Sequence, residues 1–466
     1  MIAVLAGTGL IAAFMQTLVT PVYPELPLLL DTTAADASWV LTSTLLAAAI
    51  STPISGRLGD MYGKRRVMIS LLAIMTLGSI LAALSNTLIP MIVARSLQGI
   101  GLGVIALGIS ILRDVIHPKS LGGAVALVSA TLGIGGALGL PVAAVIAQSV
   151  DWHYLFWLAV VLSVGAIVMV ATVIPVSTLR SGGRFDLPGA VGIALGLVGI
   201  LLAVSKGTEW GWASPLTLGL LIGGVVVLVV WGVFELRTEN PLIDLRVAAR
   251  RPVLLTNLAS IAVGFAFFIC SASLPILLEA PAVTGVGFEL PLLLASLCLM
   301  PLGLVMFFTS PLAARLSAAR GPRTSFILGQ VIIAITFGAA VFLTDAVWHV
   351  ILISTFVGFG VGFAYAAMPT LIMRAVPPSE TAAANGLNSV MRTLGSTISA
   401  TLVGIILSTH ATVVDGHSIP TREGFQITFV MGAGVVLAAV VIALFIPRSS
   451  PRYDDTASIP LQAAKE

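Results

Sequence analysis

Charge is scarce in this chain of 466 residues: Asp, Glu, Lys and Arg make up only 9% of it. A soluble domain draws about a quarter of its residues from those four types, so a water-facing surface all round is excluded. The net charge is +3 with no basic stripe, which argues against a nucleic-acid partner. Cysteine is nearly absent. Cys270 and Cys298 lie in apolar runs and offer neither a disulfide nor a metal framework. The five histidines have no second ligand at metal spacing, so no metal is expected. There is no phosphate-cradling Gly-rich loop with a following lysine, so ATP is not the expected energy source and no cofactor is expected. The apolar stretch Ile2 to Leu18 lacks a basic flank and is followed by many more like it, so it reads as a first span and not a signal peptide.

What is abundant is hydrocarbon: 58% of the residues are hydrophobic. A bilayer core takes about 20 apolar residues per helix. Spans are predicted at 2–23, 38–56, 67–85, 88–112, 120–148, 153–175, 187–205 and 214–235. Six more follow at 252–278, 290–312, 324–343, 347–373, 382–409 and 424–446. With both termini inside, 19 of the 23 Lys and Arg fall in cytoplasmic segments; Lys206 and Arg422 fall outside and Arg95 and Arg392 within spans. That asymmetry sets an even span count and a cytoplasmic N- and C-terminus in a cell membrane.

The two ends of the chain repeat each other. Pro21, Glu25 and Pro27 close the first span as Pro275, Glu279 and Pro281 close the ninth. Pro53 and Arg57 correspond to Pro311 and Arg315, and Gly63 to Gly321, but Asp60 becomes Ala318. Thr131-Leu132-Gly133 matches Thr393-Leu394-Gly395. The expected fold is therefore an all-α membrane protein of 14 transmembrane helices. Residues 1–186 form one six-helix bundle, 187–250 two inserted helices, 251–446 a second six-helix bundle, and 447–466 a disordered cytoplasmic tail.

Between spans 2 and 3 runs Gly56-Arg-Leu-Gly-Asp60-Met-Tyr-Gly63-Lys64-Arg65-Arg66. Gly59 and Gly63 are expected to turn the backbone sharply. This stretch resembles the loop 2–3 signature of the major facilitator superfamily, G-x-x-x-D-[RK]-x-G-[RK]-[RK]. Gly56, Asp60, Gly63, Lys64 and Arg65 match, and Met61 stands where a cation is usual. Arg95, Gln98, Gly99 and Gly101 resemble the family's fourth-span motif, R-x-x-Q-G-x-G. In span 5, Gly135 and Gly139 fit the antiporter motif G-x-x-x-G-P-x-x-G-G; Pro141 comes one residue late and Ala143-Ala144 replace the last glycines. The six-plus-two-plus-six layout is similar to that of the family's fourteen-span drug:proton antiporters. The resemblance implies two bundles rocking about a central cavity, with Asp60, Lys64, Arg113 and Asp114 as a charge cluster latching the cytoplasmic side.

Intramembrane polar groups are the candidate cavity residues, because hydrocarbon tolerates them only when paired or hydrated. At about 1.5 Å per residue, Arg95 lies roughly 10 Å in from the outer face, level with Gln16, and the two are expected to share hydrogen bonds. Gln16 and Thr17 stand where the family's antiporters carry an acid. Asn385, Asn388 and Arg392 share one face of span 13. Glu25 and Glu279, at the outer ends of spans 1 and 9, are candidate proton carriers if partly buried. Gly135, Gly139 and Pro141 are expected to pack helices closely. The expected activity is export of amphipathic small molecules by alternating access, in exchange for protons. Export of an anionic metabolite or lipid is the alternative, favoured by two intramembrane arginines without a central acid. A membrane-embedded enzyme would need a carboxylate or histidine cluster in a long loop, and no such loop is present. The expected partners are substrate, protons and membrane lipids, and the expected state is a monomer.

Overall fold

The computed structural model describes residues 1–176, 182, 184–281, 286–414 and 417–447. Fourteen principal helices run in chain order. They are α1 Ile2–Thr17, α2 Trp39–Tyr62, α3 Lys64–Ala83, α4 Leu88–Val115, α5 Pro118–Ser149, α6 Tyr154–Val173 and α7 Leu187–Trp210. Then come α8 Pro215–Glu235, α9 Arg251–Glu279, α10 Leu292–Arg320, α11 Pro322–Ala340, α12 Val347–Ala375, α13 Thr381–Thr409 and α14 Arg422–Leu444. Helices satisfy every interior backbone group within the segment, which is what lipid demands. α2 to α14 are long and apolar enough to cross a membrane; α1 is apolar but shorter. The all-α fold carries one small exception: a hairpin of β1 Ala411–Val414 and β2 His417–Pro420 follows α13.

The predicted first span, 2–23, ends early, at Thr17. Pro21, Pro24 and Pro27 each lack the N–H that would continue the ladder. The chain tightens instead into a 3₁₀ turn at Tyr23–Glu25 and a short helix at Leu26–Leu29. The second correction concerns Gly59. It does not turn; α2 runs straight through it to Tyr62, and its missing side chain admits Leu107 of α4. Gly63 alone turns, at φ 102°, a conformation that favours glycine. α4 is broken at Leu102–Gly103, where a bond from Ile105 N–H to Leu102 O at 3.3 Å replaces the regular ladder.

Packing repeats with an eight-helix offset. α1 packs on α5, α2 on α4, α3 on α4 and α6; correspondingly α9 packs on α13, α10 on α12, α11 on α12 and α14. Backbone geometry follows the same repeat. Among the described residues, the two non-glycine residues with positive φ, Asp31 (47°) and Glu289 (51°), stand 258 apart (289 − 31). The turning glycines Gly63 and Gly321 are also 258 apart (321 − 63). The two lobes meet where α2 crosses α13 and α10 crosses α5, a pair of contacts that the same offset exchanges. Close approach needs glycine here: a Cβ on Gly386 of α13 would lie 3.0 Å from Thr52 O of α2.

α7 and α8 pack on each other, and α7 also leans on α2 and α13. α8 is the most exposed span, with only 11% of its apolar window buried, so it sits at the rim facing lipid. Lys206 fixes α7 at the far end of the bundle. Its Nζ donates to Ala35 O (2.9 Å), Ser38 Oγ (2.5 Å) and Glu209 Oε2 (2.7 Å) and lies over the Trp39 ring. The polar tail at 447–466 lies, beyond Pro447, outside the described residues.

Candidate functional site

At the end of the bundle that carries the α2–α3 turn, here the basic end, one buried lysine holds two acids. Lys64, 1% exposed, donates to both carboxylate oxygens of Asp114 at 2.8 Å and lies 3.7 Å from Asp60 Oδ1. Gly63 makes this possible by placing Lys64 at the first turn of α3, beside the end of α4. Asp60 then reaches the other lobe: its Oδ2 accepts from the Ala383 N–H at the start of α13 (3.3 Å). An acid at a helix N-terminus meets free N–H groups and the positive end of the helix dipole. Arg113 crosses the same seam. Its guanidinium donates to Thr381 Oγ1 (2.5 Å), Val376 O (3.1 Å) and Pro377 O (3.4 Å). Gly56 completes the contact, because a Cβ there would lie 2.7 Å from Ala382 O. Arg65, expected in this cluster, instead donates to Ala171 O of α6, within its own lobe.

Two residues of this seam were not among the expected site residues, although Arg57 stood out as part of the repeat. Arg57, 8% exposed, faces Glu380 in the turn between α12 and α13. Burial and the neighbouring Asp244 push the Glu380 carboxyl up, while Arg57 and Arg250 pull it back down. Both Arg57 and Glu380 line a cavity of about 210 Å³ whose other wall is the α8–α9 linker. The pseudo-equivalent of Arg57, Arg315, is exposed.

Arg95 and Gln16 do not meet. Arg95 is 1% exposed and bonds to Gln98 Oε1 (2.7 Å), Met15 O (3.3 Å) and Val40 O (3.4 Å). Gln98 continues to Ser79 Oγ at 2.9 Å. The guanidinium therefore ties α1, α2, α3 and α4 at one point, sealed within one lobe. Gln16 is exposed, on the other face of α1. Arg95→Met should leave Gln98 Oε1 without its donor and lower stability by about 1–3 kcal/mol. A fall in melting temperature of the detergent-solubilised protein checks this, and an unchanged melting point refutes the hub.

Arg392 of α13 is only half-buried. Its Nη1 donates to Asn388 Oδ1 (2.9 Å), Nη2 reaches Ser389 Oγ (3.3 Å), and the group lies 4.7 Å from the Tyr365 ring centre. Asn388 donates in turn to Asn257 Oδ1 (3.0 Å) and Ser260 Oγ (2.8 Å) of α9. This array holds the planar guanidinium between Asn388, Ser389 and the Tyr365 ring, half-buried. Asn385 does not join it; its amide folds back on Thr381 O of its own helix (2.9 Å). Tyr365, Asn257 and Ser260 were unreadable beforehand because each comes from another helix.

Gly135 and Gly139 of α5 take the side chains and backbone of α1 at Leu10, Ala13, Phe14 and Thr17, with Pro141 two residues beyond inside an unbroken helix. Glu25 and Glu279 both present exposed surface at the outer ends of their segments. Among the described residues no group of three His, Cys, Asp or Glu side chains is placed to hold a metal.

A many-helix membrane bundle of two matched lobes, joined at a charged seam, defines a membrane transporter, and the chain belongs to the Major Facilitator Superfamily, whose model matches residues 5–400 and 302–464. It is similar to multidrug resistance protein 3 of Bacillus subtilis, 26% identical over 79% of this chain and 72% of that protein. It is also similar to puromycin resistance protein pur8 of Streptomyces alboniger, 28% identical over 100% of this chain and 94% of that one. The crystal structure of the human organic anion transporter MFSD10 shares the fold, with a TM-score of 0.67 at 14% identity over 95% of this chain and 98% of that one.

Proposed function

We propose that this chain exports amphipathic small molecules by alternating access, its two lobes rocking about the seam. The observation that carries the reading is the paired crossing of that seam by Asp60 and Arg113, together with the half-buried Arg392 array. Closed at the basic end, the lobes are held by charge-assisted bonds to backbone groups, which a rocking motion breaks together. The basic end is the cytoplasmic one, with both termini there, under the positive-inside rule. Residues 1–186 and 251–446 are the moving lobes, and 187–250 is the inserted pair. Proton exchange supplies the energy, as the relatives named for drug resistance suggest by family, and the working unit is a monomer in lipid. Protein in liposomes should move ethidium when a pH gradient is imposed. No gradient-dependent transport of any tested lipophilic compound counts against proton coupling.

The Arg392 array favours a second reading for the substrate, an anionic metabolite or lipid. A half-buried guanidinium with no acid among its bonded partners suits a carboxylate or phosphate. Arg392→Ala should weaken transport of an anionic substrate by about tenfold or more, the worth of one charge-assisted bond, and change cation transport little. Equal losses for both, measured as initial rates into vesicles, would remove the anionic reading.

A further inference from the structure

The inserted helices carry a second buried charge site, far from Arg392 and unused by the mechanism above. Asp186 caps the start of α7, and Glu235 is the last residue of α8. They are 7% and 2% exposed. Asp186 Oδ1 accepts from the Gly189 N–H at 2.8 Å. Glu235 Oε1 accepts from the Leu242 and Ile243 N–H groups at 3.1 and 3.2 Å. The remaining oxygens, Asp186 Oδ2 and Glu235 Oε2, are buried and have no donor, and Asp186 Oδ2 and Glu235 Oε1 both border the space beside Gly189. Both converge on Gly189, where any Cβ would strike the Asp186 carboxyl.

Two acceptor-only groups facing each other in a buried site are satisfied only by one proton between them. Among the described residues no cation stands in for it. Arg184 and Arg237 flank the pair in sequence and are exposed. Arg246 donates to Leu236 O and Asp244 caps the short helix Leu245–Ala248. Glu239 is exposed, and from α2 and α13 the facing charges are Arg57 and Glu380, which engage each other at the cavity.

We propose that Asp186 and Glu235 form a single-proton binding site that senses pH at the basic end and locks the α8–α9 linker beneath the lobe seam. The connection is direct. Glu235 holds Leu242 and Ile243, and these residues form the wall of the cavity opposite Arg57, Ala383 and Leu387. With the proton in place the pair carries one negative charge and the linker is docked. When the proton leaves to water the pair carries two, which repel at close range in a buried site. α7 and α8 then part at this end, and Glu235 carries the linker away from the seam. The docked state binds the proton more tightly than the undocked one. Docking is therefore complete at low pH and is lost as pH rises through the titration of the pair. Under the orientation proposed above the site reads cytoplasmic pH; the proton site itself stands whatever the chain transports.

Infrared titration and hydrogen exchange of the full-length protein in lipid nanodiscs test the proposal without a transport assay. The native protein should show the C=O band of a protonated carboxyl that is missing from both Glu235→Gln and Asp186→Asn. Each amide supplies the missing donor at every pH. Exchange of the peptide covering 236–244, corrected for the intrinsic base-catalysed rate, should accelerate by up to about tenfold per pH unit above the titration point in the native protein, the limit for one proton. In Glu235→Gln it should stay slow and flat. Identical carboxyl bands in all three proteins would overturn the shared proton. Equal pH dependence of linker exchange in native protein and Glu235→Gln would overturn the lock.

Discussion

Lys64→Met is expected to destabilise the protein by about 3–5 kcal/mol, the cost of removing one partner from a buried ion cluster. A folded domain has only about 5–15 kcal/mol to lose, so most of the protein should be degraded or aggregate. The cause is not the lost attraction but the two acids left behind. Asp60 and Asp114 would remain side by side in a dry site without the lysine they share. The triple variant Lys64→Met, Asp60→Asn, Asp114→Asn should recover much of the stability, because no buried charge is then unpaired. Yield and monodispersity after detergent extraction measure both. A single variant as stable as the native protein means that water reaches the cluster and the charges are solvated.

Gly56→Leu should act on the conformational equilibrium instead. Even a Cβ at Gly56 approaches Ala382 O within 2.7 Å, and a leucine cannot fit unless α2 and α13 separate. Every bond that crosses the seam at the basic end loses its geometry with them. A cysteine placed at Ala383, 6% exposed in this state, reports the change, with Cys270 and Cys298 first replaced by serine. Its maleimide labelling should accelerate by about tenfold or more, which corresponds to a shift of about 1.4 kcal/mol. Unchanged labelling would mean that the lobes do not separate along α2 and α13.

Hydropathy made the spans readable because a helix that faces lipid must be apolar for its whole length. It failed at the end of α1, where three prolines within seven residues decide the geometry and apolarity does not. Glycine spacing misled at Gly59: a glycine in a charged stretch looks like a turn, while only packing against Leu107 shows that it serves a helix crossing. The seam was half readable. Asp60 and Arg113 stood out as charges at span ends, but their partners across the seam are main-chain groups of Val376, Pro377 and Ala383 and the Thr381 hydroxyl, which have no sequence signature. Equal depth put Arg95 with Gln16, yet depth says nothing of which way a helix face points. Asp186 and Glu235 are 49 residues apart (235 − 186) and each looks like an ordinary acid at a helix end. Only the packing of α7 on α8 brings them together.

The two hairpins that turn at Gly63 and Gly321 have the same backbone but different chemistry: where the first has Asp60 and Lys64, the second has Ala318 and Pro322. Evolution can therefore retune how long the transporter dwells in each state by editing one half of the molecule alone.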